Sequence, residues 1–335
     1  MTAANNFLSD FYHLAEDKGL DADAILASAE IDRDMIDSPG LRIDTNKLAV
    51  VVESIWDQLQ DESLGLSDFP IPRGAFFMMG KVAINEPDLR RALLTGIRFY
   101  GMVTDAFEVT LQEEGDQATL VFHMNSPQRE RHYLFAEINL MAWHRFASWL
   151  VAESLTLNEI YFDYPKPDHV NEYSYLFPGQ HRFNADFQGF SFDRKFLDRD
   201  ISRSTEALKA FVKSCPVEFF VQPKTDFSIS YELGKLLKHD LLDGICFPLI
   251  EDAADTLHMT KRTLIRKLKE EGNSYQQIKD LVRRDRAIYL LTHRSIPLAQ
   301  IAEKVGFSDS AVFARAFKTW TGESPREYRG RRQQP

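Results

Sequence analysis

One arrangement of apolar and polar positions occurs twice in the last hundred residues, at a constant offset of 49. Such an internal repeat indicates a structural unit that is used more than once. Each copy predicts a short amphipathic helix, a tight turn and a second helix with a basic outer face. This is the layout of a helix-turn-helix, whose second helix reads DNA. The matching positions are Leu249 with Leu298, Ala253 with Ala302, Leu264 with Phe313, Arg266 with Arg315, Leu268 with Phe317, and Lys269 with Lys318.

The first copy predicts its second helix over residues 261–271. Leu264 and Leu268 lie one turn apart and form the inner face of this helix. Thr260 is the expected N-cap, because a hydroxyl oxygen satisfies an unpaired amide at a helix start. Gly272 is the expected end of the helix.

The second copy shows the same design with larger side chains. An apolar stripe predicts its first helix, and Ser308 or Asp309 is expected to cap its second helix, which ends at Gly322. Aromatic residues form the inner face of that second helix. The stripe is Leu298, Ile301, Ala302 and Val305, and the aromatic residues are Phe313, Phe317 and Trp320.

Residues 275–292 between the copies predict one connecting helix. At 1.5 Å per residue it spans about 27 Å. Two recognition helices need a separation of about 34 Å to enter successive turns of the major groove. The sequence therefore predicts that one chain supplies two recognition helices, each of which contacts one half-site of the DNA.

The outer faces of the second helices supply the candidate DNA contacts. Arg266 and Arg315 are expected at base edges or adjacent phosphates, since a guanidinium pairs with guanine through two hydrogen bonds. Basic residues nearby are expected on phosphates. A helical domain that is basic by chance is the alternative, which the repeat disfavours. The base or adjacent-phosphate set is Arg262, Ile265, Arg266, Ser310, Ala311, Ala314 and Arg315; the phosphate set is Lys261, Lys269, Arg283, Arg284 and Lys318.

The N-terminal two-thirds of the chain mixes helical and strand patterns, so the fold class expected for the whole chain is α+β followed by all-α. We expect a sensory or dimerisation domain over residues 1–215, a linker over 216–230 and the DNA-binding domain over 231–330. The predicted helices include 7–29, 44–60, 88–100, 131–154 and 204–214, and the predicted strands are 106–111, 118–124, 159–163 and 182–192.

The charge is divided unevenly between these parts. The whole chain carries a formal charge of −10. Residues 226–335 hold 19 basic and 15 acidic residues, against 21 and 35 in residues 1–225. This asymmetry favours an acidic domain joined to one that binds nucleic acid. No signal peptide or membrane span is evident, and the two cysteines predict free thiols, so a cytoplasmic protein is expected.

Two stretches in the second copy resemble the AraC/XylS family of bacterial transcription regulators: residues 302–318, AEKVGFSDSAVFARAFK, and residues 321–329, TGESPREYR. The resemblance covers about residues 235–330. It implies a seven-helix domain with two helix-turn-helix motifs that binds double-stranded promoter DNA. It also implies activation of transcription through RNA polymerase.

The N-terminal part resembles the sensory domain labelled arabinose-binding in some AraC-type regulators. Among the matching stretches are residues 161–167, YFDYPKP, and residues 182–185, RFNA, within about residues 20–205. The resemblance implies a small-molecule effector, a homodimer, or both. The label describes a fold relationship and does not identify the effector.

A candidate effector pocket can be placed beside the Pro/Gly-rich stretch near residue 75. Apolar residues with a cation at the pocket mouth would suit an amphipathic carboxylate, although the same residues could simply form core. The candidate residues are Arg73, Phe76, Phe77, Met79 and Lys81.

No catalytic residue, metal site or cofactor is predicted. The histidines lack metal-ligand spacing, and no nucleotide-binding or nucleophile motif occurs. The leading hypothesis is a ligand-responsive transcription activator. An enzyme domain fused to a DNA anchor and an effector-independent repressor or architectural protein are the alternatives.

Overall fold

The computed structural model describes residues 2–36, 42–125, 132–167, 170, 173–177, 179–219, 229–242, 247–270, 273–293 and 296–330. A mixed N-terminal part precedes an all-helical C-terminal part, which confirms the expected fold class.

The N-terminal part holds the strands and the longer run of helices. Its helices are α1 (Asn5–Asp17), α2 (Ala22–Ser28), α3 (Thr45–Leu59), α4 (Ala75–Ala83), α5 (Leu89–Val103), α6 (His132–Leu150), α7 (Tyr173–Leu176) and α8 (Thr205–Phe219). Its strands are β1 (Thr2–Ala4), β2 (Arg42–Asp44), β3 (Phe107–Glu114), β4 (Gln117–Met124), β5 (Leu157–Phe162), β6 (Gln180–Phe183) and β7 (Gln188–Asp193).

A five-stranded sheet has the order β3-β4-β7-β5-β6. The hairpin of β3 and β4 turns at Gly115, where φ is +57°, and pairs Leu111 with Leu120. Strand β7 is antiparallel to both β4 and β5, whereas β6 is parallel to β5. The helix α6 contacts this sheet and is buried along most of its length, with Trp143 6.0 Å from the rings of both Tyr100 and Phe122.

Two predicted elements are each divided in the structure. The single strand expected over residues 182–192 is wrong, because Asn184 adopts a positive φ of 56° and separates β6 from β7. Asparagine tolerates this conformation better than most residues. The helix expected over 7–29 is interrupted at Gly19, with a φ of +71°, and α2 restarts after Asp21, which accepts a hydrogen bond from the amide of Ala24 at 2.9 Å.

The predicted linker is partly helical. Helix α8 continues to Phe219 through the first four linker positions, and the next helix begins at Ile229, also within the predicted range. The middle of the predicted linker, residues 220–228, lies outside the described residues.

Seven helices form the described C-terminal part. They are α9 (Ile229–Leu242), α10 (Ile250–Thr256), α11 (Lys261–Glu270), α12 (Tyr275–His293), α13 (Leu298–Lys304), α14 (Ser310–Thr321) and α15 (Pro325–Gly330). The two predicted helix pairs are therefore α10 with α11 and α13 with α14. The connecting helix α12 lies between them.

Candidate functional site

The first helix-turn-helix is held together by small and aliphatic side chains. Ala253 and Ala254 of α10 are fully buried and let α11 cross closely. Thr260 caps α11, because its hydroxyl oxygen accepts a hydrogen bond from the amide of Thr263 at 3.2 Å. Leu264 and Leu268 are buried against Leu233 and Leu237 of α9 and Ile278 of α12. The helix end expected at Gly272 lies outside the described residues.

The opposite face of α11 is exposed and basic. Arg262, Arg266 and Lys269 lie on it together with Ile265, whose side chain is 46% exposed. Lys261 also lies at the surface, where its Nζ is 2.7 Å from a carboxylate oxygen of Glu251. An exposed isoleucine among cations is an arrangement that can meet both a thymine methyl group and the phosphate backbone.

The second helix-turn-helix has a stronger cap and an aromatic core. The carboxylate of Asp309 accepts hydrogen bonds from the amides of Ala311 at 2.6 Å and Val312 at 2.9 Å. These bonds lower the pKa of Asp309, because they favour its ionised form. Phe313 and Phe317 are fully buried, with ring centroids 5.7 Å apart. Helix α14 ends at Gly322, where φ is +83°.

The outer face of α14 carries the remaining candidates for DNA contact. Ser310, Ala311, Arg315 and Lys318 are exposed, and Ala314 is half-buried. Ser310 and Ala311 at the start of the helix have short side chains, and Val312 has a small branched one. This arrangement leaves the N-terminal end of α14 free of bulky groups and lets it approach base edges closely.

The expectation that Arg283 and Arg284 contact phosphate is corrected. The guanidinium of Arg283 donates hydrogen bonds to the carbonyls of Val305 at 3.1 Å and Gly306 at 2.8 Å. It also lies 4.9 Å and 4.5 Å from the ring centroids of Phe247 and Phe307. Burial lowers its pKa. Arg284 is only 7% exposed. Both side chains serve packing of α12, and Arg283 attaches that helix to the turn of the second motif.

The structure brings only some residues of the candidate effector pocket together. A cavity lies between α3, α4, α5, α6 and α8, and of the five expected residues only Arg73 and Phe76 line it. Met79 is buried core beside Gly96, Phe77 is half-buried against the core, and Lys81 is exposed at the surface. The last three are therefore corrected, because successive positions of a helix point in different directions.

A carboxylate whose side chain is 12% exposed forms one wall of this cavity. The two oxygens of Glu62 accept hydrogen bonds from the amides of Gly74 at 2.8 Å and Phe76 at 2.9 Å, which caps the start of α4. Burial raises the pKa of Glu62 and outweighs these hydrogen bonds and the charge of Arg73, which lower it. Glu62 thus fixes α4 and supplies the cavity with an acceptor.

The expected cation at the pocket mouth is already engaged. The guanidinium of Arg73 lies 5.0 Å from the ring centroid of Trp56, with one nitrogen 3.3 Å from Asp57 and another 3.9 Å from Glu62. Its charge is therefore balanced by two carboxylates. This geometry weakens the case for a carboxylate ligand.

Glu62, Tyr100 and Asn139 are among the cavity residues that the sequence did not reveal. Asn139 is a buried amide within the apolar pattern of α6, and this polar interruption was the available signal. Tyr100 is the last residue of the helix predicted over 88–100 and carried no separate signal. Helix α8 also contributes Val212 and Cys215, which only the tertiary fold brings here.

Within the ranges the structure describes, no group of three or more His, Cys, Asp or Glu residues is placed to hold a metal ion. None of the described helices combines the length and the apolar character needed to cross a bilayer.

Similar proteins were found for both parts of the chain. The family described as the arabinose-binding domain of AraC transcription regulator, N-terminal, matches residues 19–201, and a helix-turn-helix domain family matches residues 253–331. The ornithine utilization regulator of Pseudomonas aeruginosa is 27% identical over 320 residues, covering 94% of this chain and 93% of that protein.

Further relatives come from the same organism. The transcriptional regulator VqsM is 35% identical over 144 residues, covering 42% of this chain and 43% of that protein. The crystal structure of the transcriptional regulator CdpR has 21% sequence identity and a TM-score of 0.35, covering 92% of this chain and 96% of that chain. The first two of these relatives are regulators by name, in agreement with the expected class of protein. The sensory-domain family matches more than half of this chain, and the DNA-binding family matches residues that follow it in the sequence. The chain therefore belongs to the AraC family of DNA-binding transcription regulators.

Proposed function

We propose that α11 and α14 enter two successive turns of the major groove on one face of promoter DNA. Arg266 and Arg315 then contact base edges or the phosphates beside them, with Arg262, Ile265, Ser310, Ala311 and Ala314 completing the two reading surfaces. Lys261, Lys269 and Lys318 contact phosphates and supply the salt-dependent part of the affinity.

One observation carries this proposal: each helix pair ends in a capped helix with an exposed basic face, and a single helix of 19 residues, α12, joins the two pairs. At 1.5 Å per residue α12 is about 28 Å long. A rigid connection of that length fits the separation of roughly 34 Å between successive groove turns. A basic face without this repeated geometry would support only unspecific binding.

The proposal is tested by binding of the purified full chain to a labelled DNA fragment from upstream of its own gene, followed by fluorescence anisotropy. Arg315→Ala is expected to weaken binding by about 1–3 kcal/mol, which is roughly 5- to 150-fold in Kd, if Arg315 contacts a base. Lys213→Ala, an exposed change on α8 in the N-terminal part, is the matched control and should bind as the unaltered chain does.

If the Arg315→Ala chain binds the fragment with the same affinity as the unaltered chain, the assignment of Arg315 as a base contact is rejected. Equal losses for Arg315→Ala and Lys213→Ala would instead indicate unspecific electrostatic binding. Both variants change one surface cation to alanine. A difference between them therefore reports the position of the side chain and not merely the loss of one positive charge.

We further propose that the chain acts as an activator in the cytoplasm, as a homodimer that contacts RNA polymerase, and that a small-molecule effector controls it. The effector shifts the orientation of the DNA-binding domains, and its different affinities for two states must supply the free energy of that shift. Because one relative regulates ornithine utilization, ornithine is a suitable first compound for an effector screen. Promoter activity that stays constant under every compound and growth condition would favour an effector-independent repressor.

A further inference from the structure

Among the residues that the structure describes, the cavity of the N-terminal part is lined by a tyrosine whose hydroxyl forms no hydrogen bond with another of them. Tyr100 is only 7% exposed, and its ring is held by Phe107 at 5.2 Å and Trp143 at 6.0 Å between centroids. Its hydroxyl makes no hydrogen bond with any residue that the structure describes. A buried polar group without a partner is costly, so such groups point to a ligand or to ordered water.

A second polar group of the same cavity has spare capacity. Asn139 is 8% exposed, and its amide nitrogen donates a hydrogen bond to the carbonyl of Phe135 at 2.9 Å. Its amide oxygen accepts no hydrogen bond among the described residues. The two carboxylate oxygens of Glu62 each accept one backbone hydrogen bond and can each accept another.

The unused capacity of the cavity is thus mainly for accepting hydrogen bonds. Glu62 offers only acceptors, Asn139 offers its amide oxygen and one remaining N–H, and the hydroxyl of Tyr100 can accept or donate. The aromatic rings of Phe76, Phe107 and Phe135 also line the cavity. A cation is attracted to ring faces and to the carboxylate of Glu62, whereas an anion would be repelled by that carboxylate.

We propose that this cavity is the effector site and that it binds the ammonium group of a small primary amine. The ammonium donates to Glu62, Asn139 and Tyr100, and the aliphatic part of the ligand packs against the aromatic rings. The cavity volume of about 70 Å³ exceeds the roughly 10–15 Å³ that one buried water molecule requires. This inference rests on the proposed effector response and replaces the carboxylate ligand expected from the sequence.

The position of α8 gives the ligand a route to the DNA-binding domain. Val212 and Cys215 of α8 line the cavity, and Phe211 stacks on Trp149 with centroids 4.8 Å apart. Gly80 of α4 lies so close to α8 that an added Cβ would be 2.8 Å from Leu208. Helix α8 ends at Phe219, and nine residues separate it from the start of α9 at Ile229. A ligand that alters the packing of α8 therefore acts on the last helix that precedes the DNA-binding part along the chain.

Thermal unfolding of the full chain tests the ligand class with three small probes of similar size: n-propylamine, 1-propanol and propionate, at matched ionic strength and neutral pH. Propylamine is expected to raise the unfolding temperature by about 3–5 °C at ten times its Kd. Propanol should give a smaller shift, and propionate none. Tyr100→Phe should weaken propylamine binding several-fold, and Asn139→Leu provides a second variant should Tyr100→Phe fold poorly.

Tyr133→Phe is the matched control, because it also removes a tyrosine hydroxyl but lies outside the cavity lining. Stabilisation by propionate equal to that by propylamine, no stabilisation by propylamine, or equal responses of Tyr100→Phe and Tyr133→Phe would each overturn the amine site. Promoter binding with and without propylamine is measured separately. If propylamine stabilises the chain and leaves DNA affinity unchanged, the amine site stands and the proposed effector response fails.

Discussion

The two helix-turn-helix copies share one pattern but are stabilised by different chemistry. The first is packed by aliphatic residues and capped by the hydroxyl of Thr260, and its helix α11 holds five basic residues against one acidic. The second is packed by aromatic residues and capped twice by Asp309, and its helix α14 holds two basic residues and no acidic one. We therefore expect the first copy to provide more of the salt-dependent affinity. The recognition helix of the second copy is the more strongly capped of the two, with two cap hydrogen bonds against one.

The largest expected effect breaks the aromatic core of the second copy. Phe317→Ala should lower the free energy of unfolding by about 3–5 kcal/mol, because it deletes a fully buried ring that packs on Phe313 and Tyr328. Leu264→Ala in the first copy should cost about 2–5 kcal/mol. Urea unfolding measures both, and Val312→Ala on the exposed side of α14 serves as the control. A loss for Phe317→Ala no larger than for the control would contradict the packing described.

Arg283→Ala separates structural from DNA-contacting arginines. It removes two hydrogen bonds to the turn of the second copy, so it should cost about 2–3 kcal/mol of unfolding free energy. Lys318→Ala should leave stability within about 0.5 kcal/mol and reduce the slope of binding against salt by roughly one. The reverse result, a stable Arg283→Ala chain with a reduced salt slope, would restore Arg283 as a phosphate ligand.

The smallest expected effects concern the caps. Thr260→Ala should destabilise the first copy by about 1 kcal/mol. The pKa of Asp309 is lowered in the folded state, so its contribution is complete above the unfolded pKa of about 3.9 and disappears as the pH falls through the folded pKa. Asp309→Asn should retain a cap without this titration, and unfolding measured between pH 6 and pH 3 compares the two chains. Identical pH profiles would exclude Asp309 as the titrating cap.

The sequence predicted the features that depend on local periodicity. Both helix pairs were predicted close to their observed bounds. The prediction used the offset of 49, the inner apolar stripes, and the glycine and threonine residues expected at helix ends and starts. Helix α4 was not predicted, because its cap comes from Glu62, twelve residues before Gly74. Arg283 looked like a surface cation, since nothing local reveals that it bonds Val305.

The cavity was the least predictable feature. Its walls come from five helices, a strand and a loop, so the apolar residues near position 75 could not show which of them face inward. Phe76 faces the cavity and the adjacent Phe77 does not. The partner of Glu62, the backbone at the start of α4, is set by tertiary folding and not by spacing along the chain.

Hydroxyl-radical footprinting of one promoter fragment tests the central claim of two readers in one chain most directly. The unaltered protein should protect two windows about 10–10.5 base pairs apart on one face of the DNA. Arg266→Ala should weaken protection in one window and Arg315→Ala in the other. A single protected window, or loss of the same window in both variants, would contradict the account.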